Sequence, residues 1–196
     1  MINALYEPFP ECITVDGQEY QLLTDFREWI RFADMIHDTE IDNHEKVCML
    51  ALWFIDVPHK MTAEMVDALF DFYYAKDLEP DADDDEDDEK TVEDTVIKPP
   101  VFDWRIDSRY ILGDFRHYYG IDLISIEYLH WWEFRCLFAA LPDDSQCQKR
   151  MAYRSIDLGS IKSDQERNRI ARIQRSIAIP YECEDDMIAA AFGGLI

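Results

Sequence analysis

The sequence has few of the residues that form nucleotide-binding or catalytic motifs. Only six of its 196 residues are glycine. The patterns GxGxxG, GxxxxGK[ST] and GxSxG, which cradle phosphates or present a serine nucleophile, are all absent. Any catalysis would therefore depend on residues scattered along the chain. We expect a protein that is not an enzyme and that holds no cofactor.

Cysteine is present but is not arranged for metal binding or for a disulfide framework. The five cysteines are odd in number, include no CxxC pair, and are not near histidine at the spacing of a zinc site. This pattern predicts reduced thiols in a cytosol and no metal site. The positions are Cys12, Cys48, Cys136, Cys147 and Cys183.

Long apolar runs are also missing. No stretch approaches the 18 or so apolar residues that cross a bilayer. The first residues, Met1 to Pro8, have neither the basic segment nor the apolar segment of a secretion signal. We therefore expect no membrane association and a location in the cytoplasm.

Positive charge is scarce, because 19 lysines and arginines face 42 aspartates and glutamates, for a net charge of -23. Such a charge repels nucleic acid phosphates and anionic membranes. Residues 77–98 hold twelve of the acids and two lysines, a net of -10, which leaves -13 for the rest. The repulsion and low hydrophobicity predict that residues 77–100 are a disordered acidic insertion.

The remaining chain is rich enough in apolar residues to fold, since 48% of all residues are hydrophobic and 13% are aromatic. Asp16-Gly17 between two short alternating runs predicts a β-hairpin. Apolar periodicity and capping residues predict helices elsewhere. Their ranges are Asp25–Ile36 (with Thr24 as the alternative cap), Asn43–Val57, Thr62–Lys76, Asp103–Gly120, Ile126–Leu141, Gln146–Leu158, Ser163–Ile179 and a short Glu184–Phe192.

These elements predict a mainly α fold, a multi-helix bundle with a short N-terminal β-hairpin. We expect one helical domain over residues 1–196. Within it, residues 1–76 would form a subdomain of hairpin and helices, and residues 101–196 a second helical subdomain, separated by the acidic insertion.

The helix predicted at Ile126–Leu141 is apolar around most of its circumference and is capped by Ser125. Trp131 and Trp132 should point about 100° apart, so that both cannot face one partner element. Such a helix is either central in the core or half core and half binding surface, and we expect at least one of the two tryptophans to organise the core. The candidate partner-binding residues are Tyr128, Trp131, Trp132 and Phe138.

His130 and Glu133 are neighbours on the same predicted helix. Two ligands are fewer than the three that catalytic zinc usually requires. The pattern therefore favours a structural hydrogen bond between the two side chains over a metal or proton-transfer site.

Residues 148–176 are the one basic interval, with eight lysines and arginines against three acids, a local net of +5. Three interpretations remain open: a solvated basic face, docking of the acidic segment 77–98, and binding of an acidic or nucleic-acid partner. The overall charge weighs against the last of these.

Five stretches of the sequence together resemble a bacteriophage family, the gene-product-15 family. The most specific is His130-Trp131-Trp132-Glu133-Phe134. The others are the Val15-Asp16-Gly17 turn, Thr24 to Ile30, Asp107 to Leu123, and Tyr153 to Leu158. The resemblance covers most of the chain outside the acidic insertion.

The resemblance implies a tail assembly chaperone of long-tailed phages. Such a protein would bind the tape measure protein, and in some cases the tail tube protein or a related chaperone isoform, in the host cytoplasm and would be absent from the mature virion. Two alternatives stay open. One is an acidic inhibitor that mimics nucleic acid and blocks a host enzyme, and the other is a structural component of the virion tail.

Overall fold

A computed structural model describes residues 2–78 and 100–180, which form two compact units. The first unit contains residues 2–78 and Tyr128–Arg135, and the second contains the other described residues. The expected subdomains were residues 1–76 and 101–196, a division that stays a prediction, whereas contacts group Tyr128–Arg135 with the first unit. Hydrogen bonds described below tie these residues to the first unit.

The first unit begins with the predicted hairpin. Strands β1 (Cys12–Val15) and β2 (Gln18–Gln21) pair in antiparallel fashion. The turn residues Asp16 and Gly17 have φ values of 52° and 77°. Both therefore adopt the left-handed backbone that a two-residue turn of this kind requires, which glycine and aspartate tolerate best. The hairpin prediction is confirmed.

Two helices of the first unit begin at the predicted caps. Helix α1 spans Phe26–Ile36, and the Asp25 carboxylate accepts a hydrogen bond from the Arg27 backbone N–H at 3.0 Å. Helix α3 spans Ala63–Tyr74, with the Thr62 hydroxyl accepting from the Met65 N–H. Side-chain oxygens at these positions satisfy backbone donors that have no partner within the helix.

Helix α2 spans Asn43–Leu50, whereas the predicted helix continued to Val57. A 3-10 turn, Ala51–Trp53, follows it, and the chain then becomes extended. The Leu23 N–H donates to the Trp53 carbonyl at 2.9 Å, and the Ile55 N–H donates to Gln21 at 2.9 Å. Pairing with the residues that follow the hairpin therefore replaces the last turns of the helix.

The second unit opens with a turn that was predicted to be helical. The Asp103 carboxylate caps this turn by accepting from the Arg105 and Ile106 N–H groups, and helix α4 begins later, at Ser108. Helix α4 ends at Asp114 and passes into a π-helical turn, Phe115–Tyr119. Gly120 stops it with a φ of 69°, as predicted.

The remaining helices follow the predicted order with shorter bounds. They are α5 (Trp131–Ala139), α6 (Gln146–Ser155) and α7 (Asp164–Ile177), and a 3-10 turn, Leu158–Ser160, lies between the last two. Ser145 and Ser163 accept the N-terminal N–H groups of α6 and α7.

A buried ion pair joins separate parts of the second unit. The Arg154 guanidinium donates to the Asp107 carboxylate at 2.6 and 2.9 Å. It also donates to the Val101 and Ile177 carbonyls at 3.0 and 2.7 Å. One side chain of α6 thus holds the turn before α4 and the end of α7.

The mainly α fold with an N-terminal two-stranded hairpin is confirmed. The predicted disorder at 77–100 falls almost wholly outside the described residues, as do Cys183 and the helix predicted at Glu184–Phe192. At the edge of the insertion, residues 76–78 form a 3-10 turn. Within the described part of the chain, every helix is too short or too polar to cross a membrane.

Candidate functional site

The segment before the two tryptophans is extended, although Ile126–Leu141 was predicted to be one helix. The Phe26 N–H donates to the Leu129 carbonyl at 2.9 Å, and the Trp131 N–H donates to the Thr24 carbonyl at 2.8 Å. These bonds form a short antiparallel bridge between Asp25 and His130. Helix α5 can therefore begin only at Trp131, and Ser125 caps no helix.

Three side chains of α5, here called the helix clamp, bind the C-terminal end of α3. Trp131 and Trp132 donate their indole N–H groups to the carbonyls of Tyr73 and Phe72, each at 2.8 Å. Arg135 donates to the Tyr73 carbonyl at 2.7 Å. The helix clamp thus joins α5 to the end of α3.

The helix clamp provides side-chain hydrogen-bond donors to carbonyls at the C-terminal end of α3. The last carbonyls of a helix have no partner within it and carry partial negative charge. The indoles provide neutral donors, and the Arg135 guanidinium adds a positive charge. Both tryptophans lie in the first turn of α5, where side chains lean toward the N-terminus. They can therefore converge on one helix end, and the prediction that they cannot face the same element was wrong.

The burial of the tryptophans changes the expected contact surface. Trp131 is 0% exposed and Trp132 is 2% exposed, so neither presents a surface to a partner. Tyr128 is 51% exposed, with its hydroxyl 2.8 Å from that of Thr24. Phe138 is half-buried in the second unit. Partner binding through Tyr128 and Phe138 remains a prediction.

His130 caps α5 and has a defined tautomer. The Trp132 backbone N–H donates to His130 Nδ1 at 3.0 Å, so this nitrogen carries no proton. Nε2 must then carry the proton and donate to the Pro10 carbonyl, 3.0 Å away. Its partners are backbone groups, and the predicted bond to Glu133 is not formed. His130 has a structural role, as expected, but its hydrogen-bond partners are backbone groups and not the predicted Glu133 side chain.

Acid should weaken the first unit through His130. Burial lowers the pKa of His130 below its ordinary value of 6.5, while the Pro10 carbonyl and the Glu11 charge oppose this shift less strongly. Below pH 6.5 the unfolded chain takes up this proton more readily than the folded chain. The free energy of unfolding should therefore fall as the pH is lowered from 6.5 toward the folded pKa.

This expectation is measured by urea unfolding at several pH values from about 7.5 to about 5. The matched variant is His130→Asn, because asparagine can accept the Trp132 N–H as a helix cap but does not titrate. The wild type should lose more stability over this range than the variant does. Equal pH dependence in both proteins would contradict the role assigned to His130.

Of the four described cysteines, Cys147 is the buried one. No disulfide joins them. Burial raises the pKa of the Cys147 thiol well above its ordinary value, and a hydrogen bond and the negative charge of Asp114 act in the same direction. Such a thiol stays protonated and is a weak nucleophile. In residues 2–78 and 100–180, no group of three or more histidines, cysteines or acids is placed to hold a metal ion.

Four aliphatic side chains of the first unit, here called the apolar edge, are exposed in the segments that follow the hairpin and α2. They are Leu23, which is 36% exposed, and Leu52, Ile55 and Val57, which are 60%, 60% and 61% exposed. Two backbone hydrogen bonds pair Gln21 and Leu23 with the 53–55 segment, so Leu23 and Ile55 lie on neighbouring segments. The sequence pattern did not indicate this surface, because it predicted a helix that includes residues 52–57.

The basic interval 148–176 is only partly available to a partner. Arg154 is buried in the ion pair with Asp107. Arg167 and Arg169 pair with acids of their own helix, Asp164 and Glu166. Docking of the acidic segment 77–98 stays a prediction, since residues 79–98 lie outside the described part of the chain.

The comparisons with known proteins give one family. The sequence profile of the bacteriophage Gp15 protein matches residues 5–179, which include the hairpin, the helix clamp and the seven α-helices of the described residues. No curated protein and no solved structure matches the chain. Because the profile spans most of the sequence, the chain belongs to the bacteriophage Gp15 protein family.

Proposed function

We propose that this protein is a non-catalytic tail assembly chaperone that binds the tape measure protein, and also tail tube subunits, before the tail is complete. The observation that supports the proposal is the apolar edge. Its four aliphatic side chains are exposed on a protein that is otherwise strongly charged. Membership of a phage protein family supports a role in the phage life cycle.

The apolar edge suits a client that must be kept from aggregating. Covering one exposed leucine or isoleucine contributes about 1.5–3 kcal/mol, so a few such contacts can hold an apolar helix stripe. The edge is also preformed, because backbone hydrogen bonds fix residues 53–55 against residues 21–23. Little conformational entropy is then lost when a client binds.

The charge of the chaperone would keep the complex in solution. A net charge of -23 gives strong repulsion between complexes. The same charge disfavours binding to nucleic acid and to anionic membranes. The proposed chaperone acts in the host cytoplasm and leaves before the virion is finished.

The proposal is tested by co-expression with the tape measure protein of the same phage. We expect the client to be soluble with the wild-type protein and insoluble without it. The double variant Leu52→Asp, Ile55→Asp should lose most of this effect, because two charged side chains would have to be desolvated at the contact. The measurement is the soluble fraction of the client together with its co-purification.

The matched control is Ile124→Asp, which places the same charge on an exposed isoleucine of the second unit. This variant should protect the client as the wild type does. A client that stays equally insoluble with and without the wild-type protein would overturn the chaperone proposal. If the double variant keeps as much of the client soluble as the wild type does, the apolar edge is not the binding surface.

A further inference from the structure

Two arginines of the second unit converge on one tyrosine. Arg109 donates to the Tyr110 hydroxyl at 2.6 Å, and Arg150 donates to the same oxygen. The two guanidinium carbons also lie 4.6 Å and 3.6 Å from the centre of the Tyr110 ring. Two positive charges are thus held close together around a neutral side chain.

Neither arginine has a carboxylate partner within the ranges that the structure describes. In addition, the Arg150 Nε is buried and meets no acceptor there. Like charges repel, and a buried donor without an acceptor costs free energy. This arrangement is unusual in a protein with more than twice as many acids as bases.

The acidic side chains near Arg109 and Arg150 already have other hydrogen-bond partners. Asp107 is paired with Arg154, and Asp114 accepts the backbone N–H groups of Gln146 and Cys147 at 3.2 and 2.8 Å. Asp144 accepts the Tyr118 hydroxyl at 3.1 Å. Each of these three acids is therefore engaged elsewhere, and none of them forms an ion pair with Arg109 or Arg150.

We propose that Arg109, Arg150 and Tyr110 form a binding site for a single carboxylate, of the kind carried by an acidic residue of a protein partner. Guanidinium groups bind carboxylates with paired, charge-assisted hydrogen bonds. The anion would neutralise the two charges that now repel each other. This site belongs to the second unit and is independent of the apolar edge.

The site is open to solvent. Arg109 is exposed and Arg150 is half-buried. A shallow cleft beside Arg109 and Tyr110 is also lined by Asp114, Tyr118 and Asp144. Because Asp114 and Asp144 place negative charge in this cleft, the site favours a singly charged carboxylate over a doubly charged phosphate.

The test uses the full-length protein labelled with nitrogen-15 and sodium acetate as the probe. Sodium chloride keeps the ionic strength constant, so that general screening does not change. We expect saturable shifts of the Arg109 and Arg150 side-chain Nε–H signals. Arg109→Gln should weaken acetate binding about tenfold or more, because one charge-assisted hydrogen-bond donor is lost.

The matched control is Arg105→Gln, which removes an exposed arginine that does not contact Tyr110. It should bind acetate as the wild type does. The proposal is overturned if acetate gives no saturable shift, if Arg109→Gln binds it equally well, or if only inorganic phosphate saturates the signals.

Discussion

Replacing Asp107 by alanine is expected to lower the free energy of unfolding by about 3–5 kcal/mol. The Asp107 and Arg154 side chains are 2% and 5% exposed. Removing the carboxylate would leave the Arg154 guanidinium buried with only the Val101 and Ile177 carbonyls as acceptors. An unpaired buried charge is far more costly than a lost surface contact. A loss of this size is a large part of the 5–15 kcal/mol typical of a folded domain.

The measurement is the midpoint of chemical unfolding followed by circular dichroism. Arg169→Ala is the matched control, because it breaks the exposed Arg169–Glu166 pair of the same unit, and it should barely move the midpoint. If Asp107→Ala and Arg169→Ala shift the midpoint equally, the buried pair does not have the importance assigned to it.

Replacing Trp132 by alanine should cost about 3–5 kcal/mol, the range for removing a buried aromatic side chain. Two effects combine in this loss. The substitution leaves a cavity beside Phe9 and Phe72, whose rings lie 6.2 and 5.3 Å from the indole. It also leaves the Phe72 carbonyl without the indole donor that binds it at 2.8 Å.

Trp132→Phe separates the two effects, since phenylalanine fills most of the space but donates no hydrogen bond. We expect this variant to lose about 0.5–1.5 kcal/mol, the net contribution of one hydrogen bond, because the Phe72 carbonyl still accepts from the Ala75 N–H at 3.1 Å. The midpoint of urea unfolding measures both variants. A Trp132→Phe protein as stable as the wild type would mean that the helix clamp stabilises α3 by packing alone.

The local features of the fold could be predicted from the sequence. Asp16-Gly17 places the hairpin turn, and Asp25, Thr62 and Ser163 each cap the helix that follows them. In each case the side chain and the backbone group it serves lie within three residues of each other. Such signals need no knowledge of the rest of the chain.

The two largest errors in helix bounds share one physical origin, which is backbone pairing between segments distant in sequence. Apolar periodicity alone would continue α2 to Val57 and start α5 at Ile126. Pairing of the 53–55 segment with residues 21–23 ends α2 early, and pairing of Leu129 with Phe26 delays α5. Hydrogen bonds to a distant segment thus override local helix propensity.

The candidate site was predictable only in part. The His130-Trp131-Trp132 motif marked an important place, but its role depends on the carbonyls that end α3, which periodicity does not locate. The apolar edge was hidden by the same error that extended α2. The Arg109–Tyr110–Arg150 cluster joins two helices, and only their packing brings its members together.

The helix clamp also determines the order in which the first unit can be completed during synthesis. Its donors lie about sixty residues after the carbonyls that they bind, and His130 lies 120 residues after Pro10. A nascent chain that has only reached α3 therefore still lacks the donors for the end of that helix. The N-terminal unit can reach its final packing only after the ribosome has added Tyr128–Arg135, about sixty residues after the α3 carbonyls that the helix clamp binds.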